Sequence, residues 1–203
     1  MVRGERFNSI SHLVAAAMAL AGASVLITIA AINGDPTRLV SVSIYGASVF
    51  LLFLFSTLYH SLVGKAKRIF KKLDHLAIYL MIAGTYTPFA LVAIQGSIGW
   101  WLFGAIWGMA AAGVAVEFLP LKGPRIIPIA LYLAMGWACL FTFDAIVAGL
   151  PASGLYWLIA GGVIYTIGVV FYVLDHWVPW CHEIWHLFVI AGGICHFVAI
   201  TLI

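Results

Sequence analysis

The run His182–Ile203, HEIWHLFVIAGGICHFVAITLI, decides the fold. As a helix rising 1.5 Å per residue it is long enough to cross a hydrocarbon core of roughly 30 Å. It carries one carboxylate, Glu183, and no Lys or Arg. Two histidines open it. His182 and His186 stand at i and i+4, so both rings share a helix face and can reach one metal ion. Polar groups entering a membrane segment are costly, and by default they mark function.

Six further runs of the same character lie upstream: Ser9–Ile32, Leu39–Leu62, Leu73–Ile94, Trp100–Leu119, Ile126–Ala148 and Leu155–Leu174. Turns such as Asn33-Gly34-Asp35-Pro36 and Lys122-Gly123-Pro124-Arg125 separate them. The 203 residues are 65% hydrophobic and only 8% charged, with mean hydropathy +1.12. That balance lies outside the range of soluble domains. The expected fold class is an all-α integral membrane protein, a seven-transmembrane helix bundle, with residues 1–203 forming a single membrane domain. The first run is longer than a signal-peptide core and is read as a span. No nucleic-acid partner is expected. Cys139, Cys181 and Cys195 are odd in number and fall in or beside helices, which argues against a disulfide framework. Cys181 borders the His pair, and is read either as a ligand or as a small buried apolar residue.

Charge sets the expected orientation. With seven spans, one side receives Arg3, Arg6, Lys65, Lys67, Arg68, Lys71, Lys72, Lys122 and Arg125, and the other only Arg38. The positive-inside rule then places the N-terminus in the cytoplasm and the C-terminus outside. The Lys65–Lys72 cluster also reads as a patch for anionic lipid. On that topology His60, Asp74, His75, His182 and His186, with Glu5, Asn8 and His12 before or within the first span, come to one depth near the inner face.

Competing readings can be weighed on the same residues. The pentapeptide His182–His186 fits the zincin pattern H-E-x-x-H, but no carboxylate follows it to act as third ligand. Glu183 lies about 100° round the helix from His182, and also suits the macrodipole of a helix start. His196 lies about 15 Å beyond His186 and reads as a hydrogen-bonded strut between helices. A stacked-haem arrangement would need a second helix with a matching pair, and the second run offers only His60. Glu117 is placed to pair with Lys122 or Arg125, and His75 to meet a headgroup or a core partner. His176 is a spare ligand, and Asp144 is interfacial. Trp100, Trp101, Trp177 and Trp180 fall at span edges, as an interfacial belt should.

Four motifs, in order, carry a family resemblance over essentially the whole chain. They are Glu5-x-x-Asn8-x-x-Ser11-His12, Ser56-x-x-x-His60, Lys72-Leu73-Asp74-His75 leading to Ala83-Gly84-Thr85-Tyr86-Thr87-Pro88, and His182-x-x-x-His186 with Gly192-Gly193 and His196-Phe197. The chain resembles the bacterial hemolysin III proteins, within the superfamily of progestin and adiponectin receptors (PAQR). The resemblance implies the short bacterial type, a multi-pass protein of the plasma (inner) membrane. It further implies a zinc ion (Zn2+) on His60, His182 and His186, with Asp74 reaching the metal through water.

Three imidazoles plus water describe a catalytic rather than a structural zinc site. On that reading Asp74 takes or orients a proton and Ser56, one turn before His60, holds the site or polarises a carbonyl. Glu5, Asn8 and His12 support the ligands from behind or close over them. The expected activity is hydrolysis of an amide or ester in a membrane lipid, by analogy with alkaline ceramidases. Lipid would enter between helices, Gly84, Gly192 and Gly193 allowing close approach and Pro88 kinking the third span. The alternative is a non-enzymatic regulator or sensor of membrane fluidity and energetics, with zinc as a clamp. A pore-forming haemolysin is a third reading, which the absence of any long polar stripe disfavours.

Overall fold

The computed structural model describes residues 4–120 and 125–203. Arg3, Lys122 and the Lys122–Pro124 part of one expected turn lie outside these residues. The described chain is helical, and no strand occurs in it. The helices are α1 (Arg6–Ile32), α2 (Pro36–Ser61), α3 (Gly64–Pro88), α4 (Gly96–Val116), α5 (Ile126–Gly136), α6 (Phe143–Gly149), α7 (Ala152–Leu174) and α8 (Cys181–Thr201). A π-helical turn, Phe89–Ile94, prolongs α3, and a 3₁₀ turn, Ala138–Thr142, joins α5 to α6. Counted through those joints, seven helices are long and apolar enough to cross a membrane.

Local chemistry accounts for the helix ends. Asp35 caps α2 by accepting the Arg38 amide at 2.9 Å, with Pro36 at the first helical position. Gln95 and Gly96, at φ +59° and +58°, turn the chain from the third span into α4. Trp180 is also left-handed, at φ +70°, an uncommon state for a bulky residue, and it immediately precedes α8.

Two spans depart from the sequence reading. The third helix starts at Gly64, not Leu73, so the basic stretch Lys65–Lys72 is helical. Lys, Arg, Ala and Leu are good helix formers, and hydropathy alone hid this end. The fifth span is not continuous: α5 stops at Gly136 and tightens through the 3₁₀ turn. Gly136 weakens the helix there, and Tyr86 satisfies the interrupted backbone. Its hydroxyl donates to the Gly136 carbonyl at 2.8 Å and accepts the Cys139 amide at 3.0 Å. In the third span Pro88 cannot donate to the preceding turn, and the helix widens into the π-turn directly after it.

The third span is the most enclosed and sits centrally. α1, α2 and α3 pack successively, α4 lies against α3, and α8 joins α1 to α7. α7 packs almost wholly on α8 and barely touches α5 and α6. Gly84 lets α3 approach Ser48 of α2, where a Cβ would overlap the serine side chain; Gly192 does the same for the Tyr165 ring. Gly193 is in ordinary contact. Val14, Met18, Val25 and Ile29 of α1 are among many exposed apolar side chains. That surface would be a liability in water and is the expected one in lipid.

Candidate metal centre

His60 occupies the last turn of α2, and His182 and His186 the first turns of α8. One ring nitrogen from each lies within 4.8 Å of the others, so the group could hold a metal ion. Ring centroids are 4.9 Å apart for His60–His186 and for His182–His186, and 5.3 Å for His60–His182. His60 and His186 are buried, while His182 is partly open.

Carboxylates orient two of the rings. His60 Nδ1 is 3.0 Å from Glu5 Oε2, and His182 Nδ1 is 2.9 Å from Asp175 Oδ2. A carboxylate only accepts, so each neutral ring carries its proton on Nδ1 and its lone pair on Nε2. His60 Nε2 is buried without a protein partner. A carboxylate behind a histidine is the usual support of a metal ligand, so the donor set fits a divalent ion. Lys67 Nζ in turn reaches both Glu5 oxygens at 2.7 Å. Burial would raise the Glu5 pKa, but hydrogen bonds from Lys67 and His60 bring it below the ordinary carboxylate value. Glu5 is therefore an anion at neutral pH.

α1 contributes the remaining wall. His12 is buried and stacked on His186, centroids 3.8 Å apart and planes 18° apart, with its edge-on neighbour Phe53 at 5.1 Å. Both its ring nitrogens, and Asn8 Oδ1, lack a protein partner. Ser9 bonds to Ser61, fixing the start of α1 against the end of α2. Asp74 and Ser56, side by side, line the same cavity as the three histidines.

That cavity has a volume of about 960 Å³. Beyond the histidines its wall is mostly apolar, with Ile78, Ile82, Phe89, Ile146, Leu155 and Leu158, and carries Thr85, Tyr165 and His196 among them. Several residues of its wall, Leu140 and Phe143 on one side and Ile159 and Val173 on the other, are also exposed. The cavity wall thus reaches the bundle surface between the fifth span and α7, where the helices hardly touch. Trp137 Nε1 donates to Thr166 Oγ1 at 3.1 Å across that gap.

The other singled-out residues fall as follows. His196 bonds to the Leu158 carbonyl through Nε2 at 3.3 Å, a strut between α8 and α7. Glu117 pairs with Arg125, whose guanidinium also meets Tyr132. Burial works against that charge, but Glu117 together with Tyr172 and Tyr132 offsets it, and the Arg125 pKa is raised. His75 turns inward, with Nδ1 3.9 Å from Glu117. His176 is exposed beside Asp175, and Cys181 is buried and free; neither joins the cluster. The sequence reading missed Asp175 as the partner of His182, and Lys67 as the partner of Glu5. Their signal was faint: a carboxylate one short loop before the His pair, and a cation near the start of the next helix.

A family model described as Haemolysin-III related matches residues 2–197. Hemolysin-3 of Bacillus cereus is 37% identical over 193 residues, 95% of this chain and 88% of its own. The Hemolysin-3 homolog of Bacillus subtilis is 36% identical, covering 97% of this chain and 92% of its own. The human Monocyte to macrophage differentiation factor is 30% identical over 200 residues, 95% of this chain and 81% of its own.

Proposed function

The chain belongs to the haemolysin-III-related family, and from that premise we propose that it is a zinc-dependent hydrolase cleaving an amide or ester bond in a membrane lipid. One observation carries the reading. Three imidazoles converge at the polar end of a mostly apolar cavity whose wall includes exposed side chains of the fifth span and α7, with Asp74 and Ser56 also on that wall.

His60, His182 and His186 would hold the ion, which when bound supplies Lewis acidity to a carbonyl and to water. Glu5 and Asp175 keep the His60 and His182 rings in the coordinating tautomer. Asp74 takes the proton of the attacking water and returns it to the departing amine or alcohol. Ser56 orients Asp74 and the substrate carbonyl. The apolar walls seat the acyl chain and keep bulk water out. The basic end of the bundle faces the cytoplasm of a bacterial inner membrane, so the site acts on the inner leaflet.

Elemental analysis of gently purified protein tests the metal: about one zinc per chain, lost in His182→Ala. Turnover of fluorescent lipid amides and esters tests the chemistry, with Asp74→Asn beside wild type. No stoichiometric metal, or no turnover of any substrate by metal-replete protein, overturns the hydrolase.

A second reading has its own support. The histidines come from α2 and α8, and α1 is tied to both through Glu5 and His12. A metal there would clamp α2 to α8, with α1 held against both, which suits a regulator or sensor of the membrane. Under that reading His60→Ala lowers thermal stability, while Asp74→Asn changes neither stability nor phenotype.

A further inference from the structure

Five cations occupy the first turns of α3: Lys65, Lys67, Arg68, Lys71 and Lys72. Two are turned to the central site. Lys67 holds Glu5, and Lys71 lines the central cavity. The other three, Lys65, Arg68 and Lys72, fall at i, i+3 and i+7, one stripe of the helix. Among the described residues none of the three has an acidic partner. The acids at this end are engaged elsewhere. Glu5 serves His60 and Lys67, Glu117 serves Arg125, Asp175 serves His182, and Asp74 and Glu183 line the central cavity.

The three cations line a shallow, open groove on the outer surface with Ile69, Leu73, Leu76 and Phe118. Lys72 Nζ lies 3.6 Å from the Phe118 ring centroid, so the foot of α4 closes one side. Ile69 and Phe118 are exposed. The groove is therefore basic at its outer end and apolar toward the bilayer. From Lys65 to Leu76 it extends about 16 Å along the helix, the reach of a headgroup and an upper acyl chain. Topology explains the sign of these charges. It does not require them to gather over an apolar floor, nor the acids to face away.

We propose that this groove binds an anionic phospholipid, its phosphodiester held by Lys65, Arg68 and Lys72 and one acyl chain lying along Leu73, Leu76 and Phe118. The site is distinct from the histidine cluster and independent of any activity there.

Native mass spectrometry of the full chain tests it, with equimolar phosphatidylglycerol and phosphatidylcholine of matched chains. Wild type should retain phosphatidylglycerol by on the order of tenfold over phosphatidylcholine, since only the phosphatidylglycerol headgroup presents a net negative charge to the three cations. Lys65→Gln/Arg68→Gln/Lys72→Gln should bring the two lipids to near parity, with metal content unchanged. Arg68→Gln alone, at an exposed position, should lower the preference severalfold should the triple variant not fold. Ile69→Ser/Phe118→Ser should weaken retention with the charges intact. A preference that survives the charge substitutions overturns the proposal. So does displacement by excess glycerol phosphate, which would mark a site for free phosphate rather than lipid.

Discussion

Replacing Glu5 by Gln should weaken ion binding at the proposed metal site without removing any of its three histidines. Glu5 is the only described group on His60 Nδ1, at 3.0 Å, and it also neutralises Lys67, at 2.7 Å to both oxygens. Glutamine keeps one acceptor oxygen but turns the other into an NH2 donor that Lys67 cannot bond, and it leaves the Lys67 charge uncompensated beside the cluster. Loss of such a carboxylate typically costs 10- to 100-fold in metal affinity, roughly 1.4 to 2.7 kcal/mol. The unpaired lysine pushes Glu5→Gln toward the upper end of that range. Glu5→Gln/Lys67→Met should recover part of the loss, because the excess charge goes with the carboxylate. Glu183→Gln is the control: its carboxylate contacts none of the three rings, and affinity should hold. The assay is a chelator competition on metal-free protein in detergent. An affinity for Glu5→Gln within about twofold of wild type would refute the reasoning, since 1.4 kcal/mol corresponds to roughly tenfold.

Asp74→Asn should keep about one zinc per chain and a near-normal thermal midpoint, while lipid turnover falls roughly 10²- to 10⁴-fold; metal loss in that variant would make Asp74 a structural residue instead. Tyr86→Phe should destabilise the protein by about 1–3 kcal/mol, because the Gly136 carbonyl and Cys139 amide both lose their described side-chain partner at membrane depth; thermal unfolding reads it, and an unchanged midpoint would mean the break in the fifth span is supported otherwise. A phosphatase fused after Ile203 should be active on the outer face, and inactivity there would refute the expected seven-span orientation.

The parts legible in the sequence were those in which one physical rule dominates. Seven spans follow from the cost of exposing backbone and charge to lipid, and that cost hardly depends on neighbours. The histidine cluster was legible because a helical turn joins His182 to His186, and because His60 stands at the matching end of another span. Asp175 was not legible as a partner. Its approach to His182 depends on the loop between α7 and α8 and on left-handed Trp180, and no local pattern announces a tryptophan with positive φ. The early start of α3 was hidden for the opposite reason: strong helix formers there are charged, so hydropathy and propensity pointed different ways.

The cavity was illegible for a deeper reason. In water, a helix face toward solvent is polar and a face toward the core is not. In lipid, the outward face, the packed face and the cavity wall are all apolar, so α7 reads the same on every side. Backbone irregularity is the better guide. Non-helical backbone at membrane depth persists only where protein or a cavity satisfies it. Here the two irregular spans are neighbours, since Gly149 at the end of α6 abuts the Ala93 carbonyl of the π-turn. Tyr86 serves the break in one span from the helix of the other, and Tyr86, Phe89, Cys139 and Phe143 all line the cavity. The glycine, the proline and the tyrosine that bend these spans therefore stand with the histidines as determinants of the site. The histidines could hold a metal ion, and the bent spans leave an apolar cavity beside them, the room that the proposed lipid substrate requires.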